Sequence, residues 1–151
     1  MFECRHERQG LRFDFSARLE NVDHAVKSVQ EWMEGQKLHG HLFRMTLIMR
    51  EALNNAVVHG ADNDENKKII FSITREKKTL LLKIKDPGSG FGLEFEKVRQ
   101  PICRPGSCPE SGWGLTLLRK YSSGLSYDPA DKVTFVTYSL HEAGDDKYRS
   151  I

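Results

Sequence analysis

Arg50-Glu51-Ala52-Leu53-Asn54-Asn55-Ala56-Val57-Val58-His59-Gly60 is the stretch from which the rest of the chain is read. It has the pattern of the closing turns of a helix stopped by a glycine. Glu51 and Asn55 are four residues apart and share one helical face, with His59 one turn further on. Leu42, Met45, Met49, Ala52, Leu53 and Ala56 form the opposite, apolar stripe. The spacing predicts a helix from about Leu42 to His59. An acid and an amide in register beside such a stripe are either a solvated face or the lining of a site. The downstream sequence decides between the two.

Working upstream, His39-Gly40 breaks the chain before this helix. Ala25, Val26, Val29, Trp32 and Met33 recur at helical spacing up to about Lys37, with Trp32 on the apolar stripe and Asn21 or Asp23 as candidate caps. Leu11-Arg12-Phe13-Asp14-Phe15 alternates with the period of a strand. Residues 1–10 are polar and are expected to be a flexible segment.

Working downstream, Ala61 to Asn66 is a polar turn. Ile69 to Thr74 and Thr79 to Lys85 are two strands joined by the tight turn Glu76-Lys77-Lys78, a hairpin by pattern. The second strand runs straight into Asp86-Pro87-Gly88-Ser89-Gly90-Phe91-Gly92. From Leu93 to Ser111 the chain is loop-rich, a length that is uncommon in a small domain unless the loop has a function. Gly112-Trp113-Gly114-Leu115-Thr116 then opens a third helix. Leu125 to Tyr127 and Val133 to Leu140 are two more strands around the turn Asp128-Pro129-Ala130-Asp131. From His141 the sequence has the character of a tail. There is no internal repeat and no linker, so one domain over 11–140 is expected. The fold class is an α+β two-layer sandwich, a mixed and mostly antiparallel sheet covered on one face by about three helices.

Composition fits that size. The chain has 151 residues, of which 38% are hydrophobic and 29% charged, the balance of an ordinary globular domain. A net charge of +2 is too small to argue for a nucleic-acid or anionic-membrane surface, and neither partner is expected. No apolar run approaches the ~18 residues of a membrane span, and no secretory signal opens the chain. Three cysteines, Cys4, Cys103 and Cys108, are too few and too scattered for a disulfide framework. Free thiols in a reducing cytoplasm are the expectation.

Two glycine-rich segments follow the acid-amide helix, and each suits a nucleotide. Neither is a Walker loop nor a dinucleotide fingerprint. An aspartate at a strand end, Asp86, can accept a hydrogen bond from an exocyclic amine and so tell adenine from guanine. Gly88 and Gly90 let backbone pass close to a base where a Cβ would clash. Gly112 and Gly114 at a helix N-terminus present free N–H groups to phosphates. Asn55 offers a neutral oxygen suited to Mg²⁺, and Glu51 can take a proton from an attacking hydroxyl or water. His59 reads as a helix C-terminal residue favoured by the dipole.

These motifs resemble the GHKL ATP-binding fold shared by gyrase, heat-shock chaperones, histidine kinases and mismatch-repair proteins. Within it the chain is most similar to the anti-sigma factor serine/threonine-protein kinases of bacterial partner-switching systems. The N box is Glu51 to Gly60, the first glycine box Asp86 to Phe91, and the second Ser111-Gly112-Trp113-Gly114-Leu115. Glu96-Lys97-Val98-Arg99-Gln100-Pro101 resembles the start of the short ATP lid in those kinases, and the likeness runs from about Leu11 to Leu140. It implies that Glu51 is the general base and that Asn55 binds Mg²⁺ bridging the phosphates. It implies that Asp86 holds the adenine amine over a floor shaped by Gly88 and Gly90. Ser111, Gly112, Gly114, Leu115 and Thr116 would cradle phosphates, and Thr134 would sit near the base, although Lys132-Val133 stands where relatives often show Gly-Thr. Glu110 stands where some relatives carry a basic residue, which leaves Arg99, Arg104 or Arg119 to face the γ-phosphate.

The expected function is therefore a cytoplasmic, homodimeric protein kinase that uses ATP and Mg²⁺. Its expected substrate is a serine or threonine of a STAS-type antagonist, and its second partner a sigma factor. One alternative is a nucleotide-gated binding regulator without phosphotransfer. Another is a histidine kinase catalytic domain, against which stand Met1, read as a true start, and the lack of a dimerisation helix bearing a phospho-accepting histidine. A free-standing ATPase is disfavoured by the short lid.

Overall fold

The computed structural model describes residues 1–88 and 117–140. Six strands form one sheet: β1 (Phe2–Glu7), β2 (Gly10–Ser16), β3 (Lys68–Glu76), β4 (Thr79–Lys85), β5 (Gly124–Asp128) and β6 (Val133–Ser139). Their order is β1-β2-β3-β4-β6-β5, and every neighbouring pair is antiparallel. Two helices, α1 (Leu19–Gly35) and α2 (Leu42–Asn55), pack against each other, and a π-helical turn, Ala56–Gly60, continues α2. Residues 117–121 are also helical. This is the two-layer α+β fold that the alternating strands and the amphipathic helices imply.

Strand periodicity explains the layering. Leu11, Phe13 and Phe15 of β2 are buried, as are Ile69, Phe71 and Ile73 of β3, Leu80, Leu82 and Ile84 of β4, and Val136 and Tyr138 of β6. Successive side chains point to opposite faces, so these positions line one face. Register brings Phe13 opposite Phe71, and their rings stack at 5.4 Å. The helices close over this face with Val22, Ala25, Val26, Val29 and Met33 from α1 and Met45, Ile48, Met49, Ala52 and Leu53 from α2. Each valine, leucine, isoleucine, phenylalanine or methionine among them, fully buried, contributes about 1.5–3 kcal/mol of transfer free energy, and each alanine less. The other face, with Arg12, Ile70, Ser72, Thr74, Lys83 and Lys85, lines a shallow open depression.

Three expectations need correction. Residues 1–10 are not a loose segment, because Phe2–Glu7 pairs with β2 along its length and Phe2 packs 5.9 and 6.0 Å from the rings of Phe13 and Phe15. Neither Asn21 nor Asp23 caps α1, which starts after Arg18 without a side-chain cap. Asn21 is instead buried, and its Nδ2 donates to the carbonyls of Met1 and Ser16, tying the start of β1 to the end of β2. Trp32 is only partly buried and packs at the margin of the core. No helix among the described residues is long and apolar enough to cross a membrane.

Candidate functional site

The site is assembled where the end of α2 meets the end of β4. Along α2 the positions facing the sheet are buried, while Glu51 and Asn55 lie half-buried on the other side of the stripe. Burial raises the Glu51 carboxyl above its ordinary pKa. Such a carboxyl holds a proton more tightly once it has taken one, which suits a base.

After Asn55 the helix does not stop. It widens into a π turn in which Ala61 N–H donates to the Ala56 carbonyl at 2.9 Å. Gly60 ends this turn with φ outside the left-handed region, so it is not a left-handed helix cap of the usual glycine kind. Its lack of a side chain is needed for space. A Cβ on Gly60 would lie 2.6 Å from both carboxylate oxygens of Asp86. A Cβ on Gly88 would run into the Gly60 carbonyl. The N-box helix and the first glycine box are therefore in backbone contact through two glycines.

Asp86 is buried directly behind β4, only 3% exposed. Burial pushes its carboxyl up to about 6, offset in part by the Gly88 N–H, which donates to Oδ1 at 3.0 Å, and by the charge of Lys132. Lys132 donates from Nζ to the Pro87 carbonyl at 3.0 Å. An acid this far inside, with one hydrogen bond from its own loop, retains acceptor capacity for an incoming donor. Thr134 is also buried, opposite Ile84 on β4 and Tyr127 on β5. The Tyr127 hydroxyl is buried and has no hydrogen-bond partner among the described residues. Its pKa is raised by burial, then by the nearby charges of Asp86 and Asp128.

Of the residues singled out from sequence, Glu51, Asn55, Asp86, Gly88 and Thr134 are placed. Asp86 and Gly88 adjoin the end of the helix that carries Glu51 and Asn55, and Thr134 is on the strand beside β4. Gly90, Ser111, Gly112, Gly114, Leu115 and Thr116 lie outside the described residues, as do Cys103, Cys108, Arg99, Arg104 and Glu110. Sequence reasoning missed Gly60 as a contact of Asp86, because a glycine after a helical run reads as a stop. It missed Tyr127, which was read only as part of a strand.

A buried acceptor, Asp86, and a hydroxyl with no hydrogen-bond partner among the described residues, Tyr127, are groups that an amine-bearing ring could use. No group of three or more His, Cys, Asp or Glu side chains able to hold a metal occurs among the described residues. Asn55, half-buried at the end of α2, is the residue whose amide oxygen would be available to Mg²⁺.

The profile of the histidine kinase-like ATPase domain matches residues 15–139. The anti-sigma F factor of Bacillus subtilis (strain 168) is 25% identical over 126 residues, spanning 82% of this chain and 85% of that protein. The anti-sigma F factor of Geobacillus stearothermophilus is 29% identical over 117 residues, 76% of this chain and 79% of that protein. That of Bacillus licheniformis is 29% identical over 94 residues, 61% and 63% of the two chains. The profile match reaches from β2 to β6 and takes in both sides of the Asp86 corner, and so this chain belongs to the histidine kinase-like ATPase domain family, which implies that it binds nucleotide.

Proposed function

We propose that the chain is an anti-sigma factor type protein kinase that binds ATP with Mg²⁺ and phosphorylates a serine or threonine of a STAS-type antagonist. The observation that carries this reading is Asp86, buried against Gly60 at the end of the helix bearing Glu51 and Asn55. Relatives called anti-sigma F factor support a sigma factor as one partner. In this reading Asp86 accepts the exocyclic amine of adenine and Thr134 lies beside the base. Gly88 and Gly90 form the floor, and Ser111, Gly112, Gly114, Leu115 and Thr116 hold the phosphates. Asn55 is the protein ligand of Mg²⁺, which when bound neutralises phosphate charge.

Glu51 has the part of general base. Its carboxylate accepts the proton of the protein hydroxyl as that oxygen bonds to the γ-phosphorus and the bond to the ADP oxygen breaks. Holding the hydroxyl and phosphate in line supplies most of the remaining advantage. The reading includes a homodimer working in the bacterial cytoplasm.

The test uses γ-labelled ATP, Mg²⁺ and a purified STAS-domain antagonist. Label is expected on a serine or threonine of the antagonist. Glu51→Gln is expected to lower transfer by about 100-fold or more while leaving ATP affinity within a few-fold. Stable partner binding with no transfer by the wild type would make the protein a nucleotide-gated binder instead. Label on a histidine would rule out both.

A further inference from the structure

We propose that Gly60 is a positioning residue for base recognition: its bare Cα is the seat of the Asp86 carboxylate, and the π turn that it ends sets the depth of that carboxylate. The inference rests on the adenine-binding reading of Asp86 and adds to it a residue from a different segment.

The three atoms nearest to a Cβ built on Gly60 all belong to the Asp86 side chain, with both oxygens at 2.6 Å. Real Cβ atoms do not approach so closely, so the carboxylate occupies the space that a side chain would fill. Backbone conformation does not require glycine here, because φ is outside the left-handed region. Helix propensity would favour alanine over glycine at such a position. What glycine supplies is room. The π turn supplies the placement, since an extra residue per turn shifts the helix end relative to an α-helical continuation. Gly88, whose N–H holds Asp86 Oδ1, abuts the Gly60 carbonyl and fixes the same loop from the other side.

A methyl group at residue 60 must push the carboxylate outward. Among the described residues, the charged and titratable groups that act on it are Lys132 before β6 and Tyr127 on β5. Displacement toward solvent would lower the cost of ionisation and misalign the acceptor for an adenine amine.

The test compares wild type, Gly60→Ala, Asp86→Ala and the double variant. Gly35→Ala serves as control, because among the described residues a Cβ there would meet nothing within 4 Å beyond its own local backbone. Carbon NMR of the Asp86 carboxyl in the protein without nucleotide should show a titration midpoint near 6 in wild type. In Gly60→Ala the midpoint should be clearly lower. Affinity for ATP should fall about tenfold in Gly60→Ala, with loss of preference for ATP over GTP. In the Asp86→Ala background, Gly60→Ala should be tolerated or stabilising, as it is for Gly35→Ala. An unchanged Asp86 midpoint in Gly60→Ala would overturn the proposal, as would equal destabilisation in both backgrounds or loss of folding in both. Should wild type bind no adenine nucleotide, the functional reading fails. The Asp86 titration and the four-variant stability comparison still decide the role of Gly60.

Discussion

Asp86 shows how a residue can be costly to the fold and useful to the site. Unfolded, its carboxyl ionises near ~3.9; folded, burial lifts it to about 6. Between those values the folded chain binds more protons than the unfolded one, so the contribution of Asp86 to stability falls as pH rises through that window and stays low above it. Asp86→Asn removes the buried charge. Without nucleotide it should be more stable than wild type at pH 7.5, on the order of 2 kcal/mol. The gain should shrink toward zero by about pH 4. Urea denaturation of both proteins across that range measures it. A gain independent of pH would show that ionisation of Asp86 is not the cause. The same ionised form accepts the adenine amine in the proposed function, so ATP affinity is expected to decline as pH drops below 6. Asp86 was legible in the sequence because an acid at a strand end followed by glycines is a local pattern. Its contact with Gly60 was not, since 26 positions separate the two and only the tertiary fold closes the gap.

Among the elements, α2 was the most readable and its end the least. The apolar stripe from Met45 to Ala56 predicts both the helix and its buried face, and the structure adds only Ile48. The π turn leaves no trace in Ala56-Val57-Val58-His59-Gly60, because the same residues satisfy an α-helical pattern. Its Ala56, Val57 and Gly60 are all buried, so tertiary surroundings that local sequence does not record bear on its geometry. What holds α2 in place follows from burial. Arg50 of α2 and Asp23 of α1 form an ion pair at 2.6 Å, but both side chains are largely exposed, and such pairs contribute at most about 1 kcal/mol. Leu53 is fully buried in the core, two residues from Glu51 and two from Asn55. Leu53→Ala should therefore cost about 2–5 kcal/mol through lost burial and a cavity, and Asp23→Ala well under half of that. Chemical denaturation of the two variants gives the comparison, and a larger loss for Asp23→Ala would invert this account. Because Leu53 faces away from the site, an intact Leu53→Ala fold should still bind ATP within a few-fold of wild type.

At the scale of the whole molecule, the sheet has a covered face that the sequence announced and an edge that it concealed. Strands β2, β3, β4 and β6 alternate clearly because one face meets the helices. In β1 only Phe2 is even half-buried, and Glu3 to Glu7 are exposed. An edge strand with solvent around most of its side chains carries no periodic signal, so Phe2-Glu3-Cys4-Arg5-His6-Glu7 reads as a polar tail. Backbone pairing and the Phe2 ring are what dock it. The charged residues on it also blunt an edge that β2, if exposed, would offer to other chains. Removing residues 1–9 would strip the Phe2 ring from Phe13 and Phe15, take the Met1 carbonyl from Asn21, and turn β2 into the edge. Loss of one partly buried aromatic and of the β1–β2 ladder, whose freed β2 groups regain water as partners, predicts a net deficit of about 1–4 kcal/mol, with a greater tendency to aggregate. Phe2→Ala alone should account for about half of it. Hydrogen exchange gives the sharper measurement: in the full chain the β1 amides directed at β2 should be protected while those on the outer edge exchange freely. Uniformly fast exchange over residues 2–7, with unchanged stability after truncation, would restore the flexible segment that composition alone suggests.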